Sequence, residues 1–177
     1  VLADLIQWQF GVTEGFTIGK PAGRAERIDS WDAAEIGAAQ PDTATLLAMI
    51  DDPDFAAFRL RRQKRLAMVA VQRKLRERIY GSTFSAGGET FALGGDALRE
   101  AHIAADDRND FNGAGVSLFD ARGNVVPVPD VAALRAIAAA RIAELRGLYQ
   151  TAATVISQIR DASTVDDVRA LQRGLEV

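Results

Sequence analysis

The single histidine, His102, precedes Asp106 by one helical turn, with Asp107 beside it. On a helix that spacing sets imidazole and carboxylate on one face, as an acid–base pair or two metal ligands would require. Zinc-type sites need three or four ligands, and the chain has no cysteine and no second histidine. His102 therefore reads as a half-buried helix histidine. The run Asp106-Asp107-Arg108-Asn109-Asp110-Phe111-Asn112-Gly113 is rich in oxygen ligands. It departs from the EF-hand order and lacks the closing glutamate, so it reads as a polar loop. Gly87-Gly88 and Gly94-Gly95 match no dinucleotide fingerprint and no P-loop, and read as turn glycines. Absent cysteine also excludes disulfides and a thiol nucleophile. No residue is assigned a catalytic, cofactor-binding or metal-binding role.

Two other groups have chemistry to offer. Arg59, Arg61, Arg62, Lys64, Arg65, Arg73, Lys74, Arg76 and Arg78 crowd one segment, with Glu77 the only acid after Asp54. Phosphate recognition wants such charges on one face. Here they are spread over several, which suits a solvated helix, so nucleic acid is not the favoured partner. Trp8, Phe10, Phe16 and Trp31 are candidates for docking a partner protein, against the alternative of ordinary packing.

The elements that must position these residues are mostly helical. Asp52 and Pro53 open a long helix, about Pro53 to Tyr80, with an apolar stripe of Phe55, Phe58, Met68, Val71, Leu75 and Ile79. Gly81 ends it. Thr83 to Phe91 reads as a β-hairpin turning on glycines, with Phe84 and Phe91 on one face. Asp96 opens a helix of about Ala97 to Asp107. Val116–Phe119 and Val125–Val128 form a second hairpin around Asp120–Asn124, with Pro127 at an edge or strand end.

From Asp130 the apolar positions Val131, Leu134, Ala138, Leu145, Leu148, Ala152, Val155, Ile159 and Ala162 recur at spacings of three and four. Arg141 is the misfit, and Ile142, Tyr149 and Ile156 add a second track. The stripe is wider than a two-stranded seam and suits a bundle or a trimeric coil. Val131, Leu134, Leu145, Leu148, Val155 and Ile159 are its expected self-association residues. After a break at Ala162-Ser163, Thr164 and Asp167 form an approximate capping box, and Gly174 closes a short amphipathic helix.

Upstream, Ser30 to Ile36 holds one or two helical turns, and Leu46, Leu47 and Ile50 share a face of a short helix. Residues 1–28 read as extended and loop-rich, with Phe16–Ile18 as a short strand. The expected organisation is an extended N-terminal docking region, 1–52, and a helical domain with β-hairpins, 53–177. The fold class is α+β, mainly α, with the two long helices paired antiparallel in a bundle or coiled-coil-like arrangement.

Composition fits this reading. The chain has 177 residues, 48% hydrophobic and 25% charged, which allows one domain with a real core, or one small domain plus an extension. Its net charge of −3 gives no bulk attraction to nucleic acid. No run reaches the ~18 apolar residues of a membrane span, and the first residues lack the basic start of a signal peptide.

One resemblance covers about residues 58–173. A basic helix leads to "GSTFSAGGETFAL", then "VSLFDARGNVVPVPDVAALRAI", then a long Ala-rich helix and "ISQIRDASTVDDVRAL". This resembles an uncharacterised domain family of bacteriophage and prophage tail genes, found in or beside tail-fibre proteins. Phe84, Gly88, Phe91 and Asp96 fit its glycine hairpin and helix start. Asp120, Gly123, Asn124 and Val125 fit its "D..GN" turn, and Ile159, Ala162, Thr164 and Val168 its closing helix. Leu118-Phe119 stands where that family carries a tryptophan. The resemblance implies a non-enzymatic structural protein of a phage tail, at the baseplate or fibre attachment, located in the virion and made in the bacterial cytoplasm. Its partners would be other tail, baseplate or fibre proteins and copies of itself, as a trimer or ring, with no cofactor. A tail-fibre assembly chaperone and a small nucleic-acid-binding protein are the alternatives.

Overall fold

The computed structural model describes residues 1–20, 22, 24–94 and 116–174. It is α+β and mainly helical, with three short antiparallel hairpins among the described residues. Contacts divide the chain into two units, Val1–Leu66 with Ser163–Val168, and Ala67–Ala162 with Arg169–Val177. His102, the Asp106–Gly113 run, Gly95 and the helix expected from Asp96 lie outside the described residues.

The first unit corrects the N-terminal expectation. Leu2–Phe10 is a helix, α1, where an extended segment was expected. Leu2, Leu5 and Ile6 have the one-face spacing of a helix, and all three are fully buried. The aromatic and β-branched residues of this stretch favour strands only weakly, and burial of that face outweighs the preference. Gly11 then closes α1 in the left-handed conformation at φ 71°, its N–H donating to the Gln7 carbonyl at 2.9 Å.

Strand β1 (Phe16–Gly19) pairs with β2 (Arg27–Trp31), setting Phe16 opposite Trp31 and Thr17 opposite Ser30. The register shifts between Thr17 and Ile18, which leaves Asp29 as the extra residue of a bulge. Strand β2 had not been foreseen. Three aspartates then start three helices. Asp32 caps α2 (Ala33–Ile36), Asp42 caps α3 (Thr43–Leu47), and Asp52 accepts the Asp54 N–H at 2.7 Å at the head of α4 (Pro53–Gly81). Leu2, Leu5, Ile6, Leu46 and Phe55 form the core of this unit. Arg62 of α4 pairs with Asp4 of α1, tying the two helices at the rim of that core.

The second unit is built on two hairpins. Strands β3 (Thr83–Ala86) and β4 (Glu89–Ala92) turn on Gly87 and Gly88, both at positive φ as a tight hairpin turn requires. Phe84 and Phe91 face each other across this ladder, ring centres 5.5 Å apart. Strands β5 (Val116–Phe119) and β6 (Val125–Val128) pair antiparallel, and the Ala121 N–H of their turn donates to the Thr90 carbonyl of β4. The long helix α5 (Val131–Asp161), capped by Asp130, packs on β3 and β6. Leu134 and Ile137 of α5 close a core with Phe84, Phe91, Leu93, Leu118 and Val128. Arg141 breaks the apolar repeat because its Nε donates to the Leu93 carbonyl at 2.9 Å, satisfying a backbone acceptor at the edge of that core.

Ala162 leaves helical geometry, and α6 (Val165–Arg173) starts afresh. The Thr164 N–H and hydroxyl both meet the Asp167 carboxylate, and the Asp167 N–H donates back to Thr164 Oγ1 at 3.1 Å. That is the reciprocal box expected there.

Candidate functional site

An open cleft of about 580 Å³ lies beside the β1–β2 hairpin, lined by Gly15, Phe16, Thr17, Trp31, Asp32 and Glu35 among others. Its geometry is locally fixed. The Trp31 indole N–H donates to the Ala38 carbonyl at 2.8 Å, and the ring meets Phe10 edge-on at 5.3 Å and Phe16 at 6.3 Å. The Asp32 carboxylate accepts the N–H groups of Ala34 and Glu35, both at 3.0 Å, so it is committed to capping α2. Thr17 and Ser30 join hydroxyls across the strands at 2.7 Å. Gly15 is required by both conformation and space. Its φ is +81°, and a Cβ there would meet Ile36 at 2.8 Å and the Glu35 carboxylate at 3.1 Å. Glu35 is exposed, so the cleft offers aromatic surface beside a solvent-facing carboxylate.

A second cleft, about 420 Å³, lies in the same unit, between Ala56, Ala57, Arg59 and Leu60 of α4 and Ser163, Thr164 and Val165 at the head of α6. Arg59 lies over the Phe55 ring at 5.7 Å and Thr164 is engaged in the capping box. Arg59 and Thr164 of this cleft are therefore committed to the fold.

The remaining candidate surfaces are apolar. Ile142 and Tyr149, seven residues apart on α5, are each more than half exposed, and Ile156 continues their row half-buried. Phe119 and Val125 oppose each other on β5–β6 and are both exposed. On α4, Val69, Arg73, Arg76 and Tyr80 recur at spacings of four, three and four, and all are exposed. A 3.6-residue turn puts them in one row.

The residues singled out from sequence fall into two groups. Trp8, Phe10, Phe16 and Trp31 are half-buried against the N-terminal core, with Trp8 at 5.4 Å from the Phe55 ring. On α5, Leu134 is buried in the hairpin core and Leu145 and Leu148 pack at its margin. Ile159 is fully buried, whereas Val131 and Val155 are half-buried. Much of the expected self-association stripe is thus occupied within the chain, and the second track, Ile142 and Tyr149, carries the exposed apolar surface.

Sequence reasoning missed the Phe119–Val125 pair and the cleft carboxylates. The cross-strand pair was legible in the hairpin register. The cleft had one signal, the partition of charge. Residues 1–57 hold ten acids and three bases, and residues 58–81 nine bases and one acid. Among the described residues no group of three or more His, Asp or Glu could hold a metal ion, and no helix is long and apolar enough to cross a membrane. Comparison with protein-family models, with curated proteins and with solved structures finds no match.

Proposed function

We propose that this chain is a structural protein of a bacteriophage tail, a component of the baseplate or the fibre attachment, that acts by binding other proteins and copies of itself. The observation that carries the reading is the exposed row Ile142 and Tyr149 on α5, continued by half-buried Ile156. Large apolar side chains in a seven-residue repeat on the outside of a long helix are suited to pack in the seam of a helical assembly, which supports the reading. The exposed Phe119–Val125 pair extends the apolar surface of the same unit. The order of elements over 58–173, basic helix, glycine hairpin, Asp-led turn and long terminal helix, supports the likeness to tail-associated domains. In this reading α4 and α5 belong to a bundle, and the second track of α5 packs against neighbouring copies in a trimer or a ring. The protein would reside in the virion tail.

The test is the mass of the purified chain by light scattering after size exclusion, at low and high salt, beside an Ile142→Lys/Tyr149→Lys variant. A salt-resistant trimer or larger species that the variant reduces to monomer is the expected result. A wild-type monomer at all concentrations and salts would overturn the self-associating reading and favour a fibre-assembly chaperone.

A further inference from the structure

We infer that the acidic, aromatic cleft beside β1–β2 takes the arginine row of α4 from a second copy of the chain, a head-to-tail contact separate from the α5 seam. The inference deepens the reading of the protein as a self-associating structural component and rests on it.

The two surfaces are complementary in charge and in chemistry. The row Val69, Arg73, Arg76 and Tyr80 is exposed along its length, with cations at its centre and apolar groups at its ends. Arg73 makes a 3.6 Å pair with Glu77 in which both side chains stay largely in solvent, a weak and exchangeable partner. The cleft presents the half-buried rings of Phe16 and Trp31 beside the exposed carboxylate of Glu35. A guanidinium is suited to such a place, since it stacks on aromatic rings and binds a carboxylate through paired N–H donors.

The occupant is argued from the charge partition. The segment that holds the cleft has ten acids against three bases, and the segment that holds the row has nine bases against one acid. A chain so divided repels a second copy placed like-to-like and attracts one placed head-to-tail. A contact of this kind is heterologous: the donor and acceptor surfaces differ, a joined pair leaves one row and one cleft free, and copies add on to give a ring or an open row. Glu14, which is exposed, flanks the cleft in sequence and adds to its field, whereas Asp29 is paired with Arg27.

The experiment is a charge swap on the full chain, read by light scattering after size exclusion at low and high salt, with nuclease-treated protein and far-UV circular dichroism to check folding. The variants are Glu35→Lys and Arg73→Glu/Arg76→Glu. Neither alters a residue of α5, and the three replaced side chains are all exposed, so both should fold. Wild-type chain is expected to gain mass at low salt beyond its high-salt species. Each variant alone should weaken that gain on the order of tenfold, the effect of placing like charges together in a contact. An equimolar mixture of the two should restore it, because lysine in one cleft then meets glutamate on the other row. Low-salt mass unchanged in both variants, or no recovery on mixing, would overturn the inference. Loss of the low-salt species on nuclease treatment would also overturn it, assigning the row to nucleic acid. Failure of the α5 seam is distinguishable, since it removes the salt-resistant species and leaves the charge-swap result standing.

Discussion

Asp120 shows how one side chain can hold a turn. Its carboxylate accepts the Arg122 and Asn124 N–H groups at 2.8 and 2.7 Å and the Asn124 side-chain amide at 2.8 Å. The Asn124 amide, followed by these backbone donors, holds its pKa below the ordinary aspartate value. A carboxyl whose pKa is lowered by folding contributes stability above its unfolded-state value and loses it as pH falls through the folded-state value. Stability is therefore expected to decline in the acid range below the usual aspartate pKa. Asp120→Asn keeps an acceptor but no titrating charge, so its thermal midpoint should fall less between pH 7 and pH 3 than that of the wild type. Asp120→Ala should be less stable at both. Equal acid losses in wild type and Asp120→Asn would refute the assignment. This residue was legible in the sequence because its partners lie within four positions. Arg141 was not, because its partner, the Leu93 carbonyl, is remote along the chain.

At the scale of elements, helix starts are set by short-range hydrogen bonds. Asp32, Asp42, Asp52, Asp130 and the Thr164–Asp167 box each satisfy N–H groups that a first turn leaves open. Removing the box by Thr164→Ala/Asp167→Ala is expected to cost about 1 kcal/mol and to fray α6. Urea unfolding followed by circular dichroism would measure it, and a loss near zero would mean that burial of Val168 alone holds α6 in place. Strand β2 and helix α1 were the elements that sequence reasoning misread. Each is short, so packing against the N-terminal core outweighs the weak preferences of the residues in it.

At the scale of the molecule, the described residues include one apolar core around Phe55 and another around Phe91. Both tryptophans, Trp8 and Trp31, pack on the first, so their fluorescence reports that core alone. Phe91→Ala removes a buried ring of the second core and is expected to cost about 3–5 kcal/mol there. Denaturant unfolding of this variant should shift the circular dichroism transition while the tryptophan transition stays near its wild-type midpoint. Coincident shifts by both probes would mean that the two cores unfold together.

The sequence by itself determined the parts that depend on near neighbours: the caps, the glycine turns, the hairpin pair Phe84 and Phe91, the break after Ala162, and the mainly helical α+β class. Each rests on bonds that reach only a few residues, so residue type and spacing suffice. The tertiary structure decided which apolar residues are spent inside and which remain outside. Leu134 and Ile159 are buried while Ile142 and Tyr149 are exposed, although all four belong to apolar tracks of one helix. Burial is settled by whichever distant segment covers a face, and periodicity shows only that a face wants covering. The same holds for the cleft, where Phe16, Trp31 and Glu35 meet because β1, β2 and α2 fold together.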